Sequence, residues 1–127
     1  MAPQSKTTDR VFRTSWFSKE AKKAHIFDEE LCAAIQQVML GQADDLGGGV
    51  FKKRLNKNMH RSIIVAKAGQ FWVYEYLFAK KDQANIAIDE LAYFRKLARR
   101  YEALTEQQVD ELIEKNRWTE ICHGSQA

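Results

Sequence analysis

The 127-residue chain is predicted to fold as an α+β domain: an N-terminal strand and helical hairpin, an antiparallel three-strand meander, and C-terminal helices. Three observations predict this. Apolar residues recur at helical spacing in two blocks, one before Gly41 and one after Lys81. Between the blocks lie three runs rich in β-branched and aromatic residues, separated by short turn-forming segments. The length suits one domain with a single core, divided here into a flexible polar tail over residues 1–9 and a single domain over 10–127.

Residues 11–16 alternate as a strand does, and SKEAKKAHI then reads as a short helix whose Ser18 can accept hydrogen bonds from the first turn. Asp28 opens DEELCAAIQQVMLG, where Leu31, Ile35, Val38 and Met39 share a helical face and Gly41 ends it. Gly47, Gly48 and Gly49 break the chain before VFKKRL, RSIIVAK and FWVYEYLFA, with turns expected at 56–59 and 67–70. In the third run Trp72, Tyr74, Tyr76 and Phe78 fall on one strand face and are read as packing residues. From Ile88 to Leu104 the period becomes helical, with Arg95, Lys96, Arg99 and Arg100 on the solvated side. Thr105 and Gln108 then make a capping box for TEQQVDELIEKN.

Charge is where function becomes visible. The formal net charge is only +3, yet no Asp or Glu occurs between Asp45 and Glu75. The stretch GGGVFKKRLNKNMHRSIIV holds Lys52, Lys53, Arg54, Lys57 and Arg61 without one acid. Such a field attracts phosphates. Alternation in VFKKRL puts Lys52 and Arg54 on one face and Phe51 and Leu55 on the other, with Lys53 as the misfit on the apolar side. Arg61 opens the following strand, and His60 beside it titrates in a range useful for proton transfer. No Lys-Ser/Thr pair follows the glycines at the spacing of a phosphate-binding loop.

Cys32 and Cys122 are too few and too distant in sequence to suggest a disulfide framework or a zinc site. They are expected to be reduced, in a cytoplasmic protein with no cofactor. The N-terminus has no apolar stretch of the signal-peptide kind, and no later run is long enough to span a bilayer.

The order GG-FKKRL, HRSIIV, FWVYEYLFAKK and NIAIDEL resembles the RelE and HigB toxins of bacterial toxin-antitoxin pairs, over roughly Val11 to Tyr101. Phe78, Lys80, Asn85 and Ile86 match the pattern of the HigB-like branch. The resemblance implies a RelE-like fold, an antitoxin partner, and a ribosome-dependent, metal-independent cut in messenger RNA by attack of a ribose 2′-hydroxyl on the adjacent phosphate. It implies Lys52 as proton acceptor, Arg54 and Arg61 as phosphate clamps, and Lys81 as the basic residue after the last strand. Lys53, Lys57, Lys80 and Asn85 are expected to contact RNA around them. Ala87 stands where some members have a tyrosine, Gln83 where many have an arginine, and NKNMH replaces a longer basic loop. His60 is therefore the candidate for the missing proton donor or acceptor. A gyrase inhibitor of the ParE type and a non-catalytic RNA-binding module are the alternatives.

Overall fold

The computed structural model describes residues 9–123. Its elements are β1 (Arg10–Thr14), α1 (Ser15–Lys23), α2 (Asp28–Met39), β2 (Asp44–Gly47), β3 (Val50–Leu55), β4 (His60–Lys67), β5 (Phe71–Ala79), α3 (Ile88–Glu102), α4 (Glu106–Glu114) and β6 (Trp118–Ile121). Residues 1–8 of the expected tail lie outside the described residues, whereas the Asp9 carboxylate accepts the Trp72 indole N–H at 2.9 Å.

The strands form one sheet in the order β2-β3-β4-β5-β1-β6. The meander β3-β4-β5 is antiparallel, as its short turns require. β1 joins it parallel to β5, with the α1–α2 hairpin inside the long connection. Two short strands escaped the sequence reading. β2 has acidic and glycine residues and no apolar alternation, and β6 is only WTEI.

Both faces of the sheet are covered, so the apolar residues divide into two cores rather than one. Phe17, Leu31, Ile35 and Val38 from the hairpin pack on Val11, Leu55, Ile64 and Tyr74. On the opposite face Phe94, Ala98, Tyr101 and Val109 pack on Phe12, Val50, Ile63, Val65 and Trp118. The central strand β4 is buried on both sides from Arg61 to Ala66, which explains the uninterrupted apolar run IIVA.

The helix boundaries follow capping chemistry. The first helix begins earlier than expected: Thr14, not Ser18, caps it, its Oγ1 accepting the Phe17 N–H at 3.0 Å. Ser15 and Trp16 therefore belong to α1 and not to the strand. Thr105 and Gln108 exchange both bonds of the expected capping box. α1, α2 and α4 end with left-handed residues His25, Gly41 and Asn116, each followed by an amide that reaches back five residues.

A bulge corrects the expected face of β5. Ile63 registers with Tyr76 and Ile64 with Tyr74, leaving Glu75 as the extra residue. Trp72 and Tyr74 consequently face the α1–α2 core, while Tyr76 and Phe78 face the α3 core. The four aromatics do not share a side.

The bulge also places Glu75 under α3, where the Tyr101 hydroxyl donates to its carboxylate. Burial pushes the Glu75 carboxyl up to about 7, against the opposing effect of that hydrogen bond. The folded protein thus keeps a proton that the unfolded chain releases near 4.5, and stability declines as pH rises from there through 7. In urea unfolding across that window, wild type should lose roughly 3 kcal/mol more than Glu75→Gln. Parallel stability curves for the two proteins would contradict the assignment.

The cysteines are paired, contrary to expectation. Cys32 on α2 and Cys122 just after β6 form a disulfide with Cα atoms 5.4 Å apart. Sequence spacing hid this because β6, the strand that carries Cys122 to the hairpin, was itself unseen. Among the described residues no helix is long and apolar enough to cross a membrane.

Candidate nucleic-acid interface

The sheet register assembles the cationic residues. Lys52, Ile63 and Tyr76 form one row across β3, β4 and β5, and Arg54, Arg61 and Phe78 form the next. Both rows face the side covered by α3, because Val50, Ile63 and Phe78 lie in that core. Residues directly opposite on antiparallel strands project together, so Arg54 and Arg61 stand side by side.

Their partners differ. Arg61 is buried, 9% exposed, and its Nη1 donates to the carbonyls of Asn58 at 2.9 Å and His60 at 3.2 Å. Arg54 is exposed. Among the described residues neither guanidinium has a carboxylate within ion-pair distance. Two like charges opposite one another on a sheet destabilise it, so Arg54 gains no structural benefit from facing Arg61, whose own guanidinium holds the turn before β4.

Lys52 has an anionic partner that its own segment lacked. Asp44 on β2 registers with it, and its Oδ2 lies 3.5 Å from the Lys52 Nζ. The same Nζ donates to Asn85 Oδ1 at 3.0 Å. Asn85 Oδ1 also accepts the Ile86 N–H at 2.9 Å, and Gln83 Nε2 bonds the Asn85 carbonyl at 2.8 Å and Glu90 at 3.0 Å. The Glu90 carboxylate in turn accepts the Ala87 N–H at the start of α3. The segment KKDQANI is thus a hydrogen-bonded turn that fixes where the Lys52 nitrogen lies.

The remaining candidates are dispersed. Lys53 faces the hairpin side and reaches past it to the Gln42 carbonyl at 3.0 Å, the outward snorkelling expected of the misfit. Lys57 is exposed at the tip of a tight turn in which Asn56, Lys57 and Asn58 all have positive φ. Lys80 and Lys81 are exposed in the turn after β5, and the Lys80 amide bonds the Met59 carbonyl at 2.9 Å.

His60 registers with Leu55 and Ala79, one residue out of phase with Arg61, so the register directs it to the hairpin side. There its Nδ1 lies 3.1 Å from Asn56 Nδ2. His60 and Lys81 both line a groove at the end of β5, as do Trp16 and Tyr76.

Two features were not read from the sequence. Trp16 stacks on Tyr76 with ring centroids 5.2 Å apart and planes 25° apart. The Tyr76 hydroxyl is held above its ordinary range, first by burial and then by the Glu90 carboxylate. Arg95 also departs from the solvated helix face assigned to it: its guanidinium donates to the Leu46 carbonyl. A side chain at Gly48, which has φ +65, would come within 3.2 Å of Arg95. The glycine turn is therefore shaped against this arginine.

Among the described residues no group of three or more His, Cys, Asp or Glu side chains is placed to hold a metal ion. A family model described as the RelE toxin of the RelE / RelB toxin-antitoxin system matches residues 9–121. The chain belongs to this toxin family. No curated protein and no solved structure matches it significantly. In this RelE-family chain the matched region takes in every strand and helix from β1 to β6, and Cys122 lies one residue beyond it.

Proposed function

We propose that the protein is a ribosome-dependent endoribonuclease that cuts messenger RNA and is restrained by a cognate antitoxin. The observation that carries this reading is the adjacent Arg54–Arg61 pair without carboxylate partners, beside an anchored Lys52, in a RelE-family chain. The 2′-hydroxyl attacks the neighbouring phosphorus and its proton passes to Lys52, which takes part as the neutral amine and becomes the ammonium. The bond to the 5′-oxygen breaks, that oxygen takes a proton, and the products are a 2′,3′-cyclic phosphate and a 5′-hydroxyl. Arg54 and Arg61 neutralise the phosphorane, which carries more negative charge than the starting diester. Lys53, Lys57 and Lys80 contribute peripheral phosphate attraction, and Asn85 acts by positioning Lys52 at the RNA.

Proton donation to the leaving oxygen is assigned to the groove at the end of β5, which Lys81 lines together with Tyr76 and Phe78 of the cationic rows and which His60 lines from the hairpin side. We expect His60→Gln to lower the cleavage rate by about two to four powers of ten with ribosome binding kept. An unchanged rate transfers the role to Lys81. The antitoxin should offer acidic side chains to the same cationic face. In cells, expression of the chain alone should arrest growth and create new 5′ ends within translated messages. Co-expression of the protein encoded beside it should abolish both. Growth arrest without new ends would instead support inhibition that does not involve RNA cleavage.

A further inference from the structure

We propose that the exposed face of Trp16 is a stacking surface for a base of single-stranded RNA, next to the phosphate held by Arg54 and Arg61. The inference rests on the RNA-site reading and adds a contact outside the strand cations.

β1 ends before β5 does. Its pairing stops at Arg13 opposite Tyr74, so residues 76–79 of β5 run on without a strand partner on the β1 side. Trp16, in the first turn of α1, lies over that stretch against Tyr76 and remains 44% exposed. Tyr76 is in turn 5.7 Å from the Phe78 ring, and Phe78 registers with Arg61. An ordered path therefore runs across the sheet from Arg54 and Arg61 through Phe78 and Tyr76 to the indole.

The strand spacing puts the indole roughly 10 Å beyond Arg61, a span that a neighbouring nucleotide covers. One indole face is occupied by Tyr76, which holds the ring in a fixed plane and leaves the other face for a ligand. The surrounding groove is mixed in charge, lined by Lys23 and Lys81 and by Glu20 and Asp82. Lys81 is exposed and Lys23 pairs with Glu20 at 3.4 Å. A flat aromatic ring beside the exposed Lys81, and reached from Arg54 and Arg61 through Phe78 and Tyr76, suits a base joined to a phosphate.

The test is tryptophan fluorescence of the full chain titrated with a short 2′-O-methyl RNA, which binds without being cut. Trp72 and Trp118 are half-buried and buried, so Trp16 should give the quenching. Trp16→Ala should weaken binding about five- to hundredfold, while Trp16→Phe should keep most of the affinity and lose most of the quench. Circular dichroism checks that both variants fold. Unchanged affinity in Trp16→Ala, or no RNA-dependent quench in wild type, overturns the proposal. So does a Trp16→Ala protein that binds RNA normally but no longer binds its antitoxin, since that assigns the indole to a protein partner. Cleavage of messages by wild type on ribosomes is measured separately. Cleavage that persists when Trp16 proves irrelevant to RNA removes only the stacking surface, whereas absent cleavage with a Trp16-dependent quench removes only the nuclease reading.

Discussion

Arg54→Ala should reduce cleavage of messenger RNA by about 30- to 1000-fold at saturating protein while leaving the fold as stable as wild type or slightly more so. The rate loss corresponds to roughly 2–4 kcal/mol of transition-state stabilisation, the amount that one well-placed charge contributes to a developing anion. Stability should not fall because Arg54 is exposed, has no carboxylate partner, and faces Arg61 directly across the ladder. Removing one of two opposed like charges relieves repulsion. Arg61→Ala is a less clean variant. Arg61 is buried and its guanidinium holds the Asn58 and His60 carbonyls, so its loss would also loosen the turn before β4. Cleavage assays paired with urea unfolding distinguish the two residues. A stability loss in Arg54→Ala equal to its activity loss would make the arginine structural.

Breaking the disulfide should have the largest effect on stability. Cys32 and Cys122 are separated by 90 residues, so the bond closes most of the described chain into a loop. Removing such a constraint raises the entropy of the unfolded chain, and Cys122→Ser should cost about 2–4 kcal/mol. The effect should be greatest at β6, whose only sheet neighbour among the described residues is β1 and which the bond ties to α2. Urea unfolding of wild type with and without a dithiol reductant gives the same comparison without a substitution. An unchanged midpoint in both experiments would contradict this account of the bond.

How much of this was legible in the sequence depended on the length and period of each element. The meander strands and the helices from Asp28, Ile88 and Glu106 were legible because their apolar periods persist over several residues or turns. β2 and β6 were not, since four residues give no period to detect. Missing β6 concealed the disulfide, and missing β2 concealed the Asp44 that pairs with Lys52. The bulge at Glu75 shifted the parity of β5, a change that alternation cannot report.

The candidate site was legible to a similar degree. Parity in VFKKRL correctly joined Lys52 with Arg54, and register then added Arg61. The same register separated His60 from them by a single residue. Asn85 was visible as part of a motif, but its double hydrogen bond to Lys52 and the Ile86 amide depends on a turn 33 residues away from that lysine. Trp16 was hidden because residues 11–16 alternate like a strand, whereas the Thr14 cap ends the strand and begins the helix.

The proposed role of the cations on this sheet face is to promote attack of a ribose 2′-hydroxyl on the adjacent phosphorus with release of the 5′-oxygen. The most direct test is to incubate the purified chain with programmed ribosomes in EDTA and identify both ends of the cut message. The account predicts a 5′-hydroxyl on the downstream fragment and a 2′,3′-cyclic phosphate on the upstream one, with both lost in Arg54→Ala at equal ribosome occupancy. Fragments bearing a 5′-phosphate, or intact messages from wild type bound to ribosomes, would contradict it.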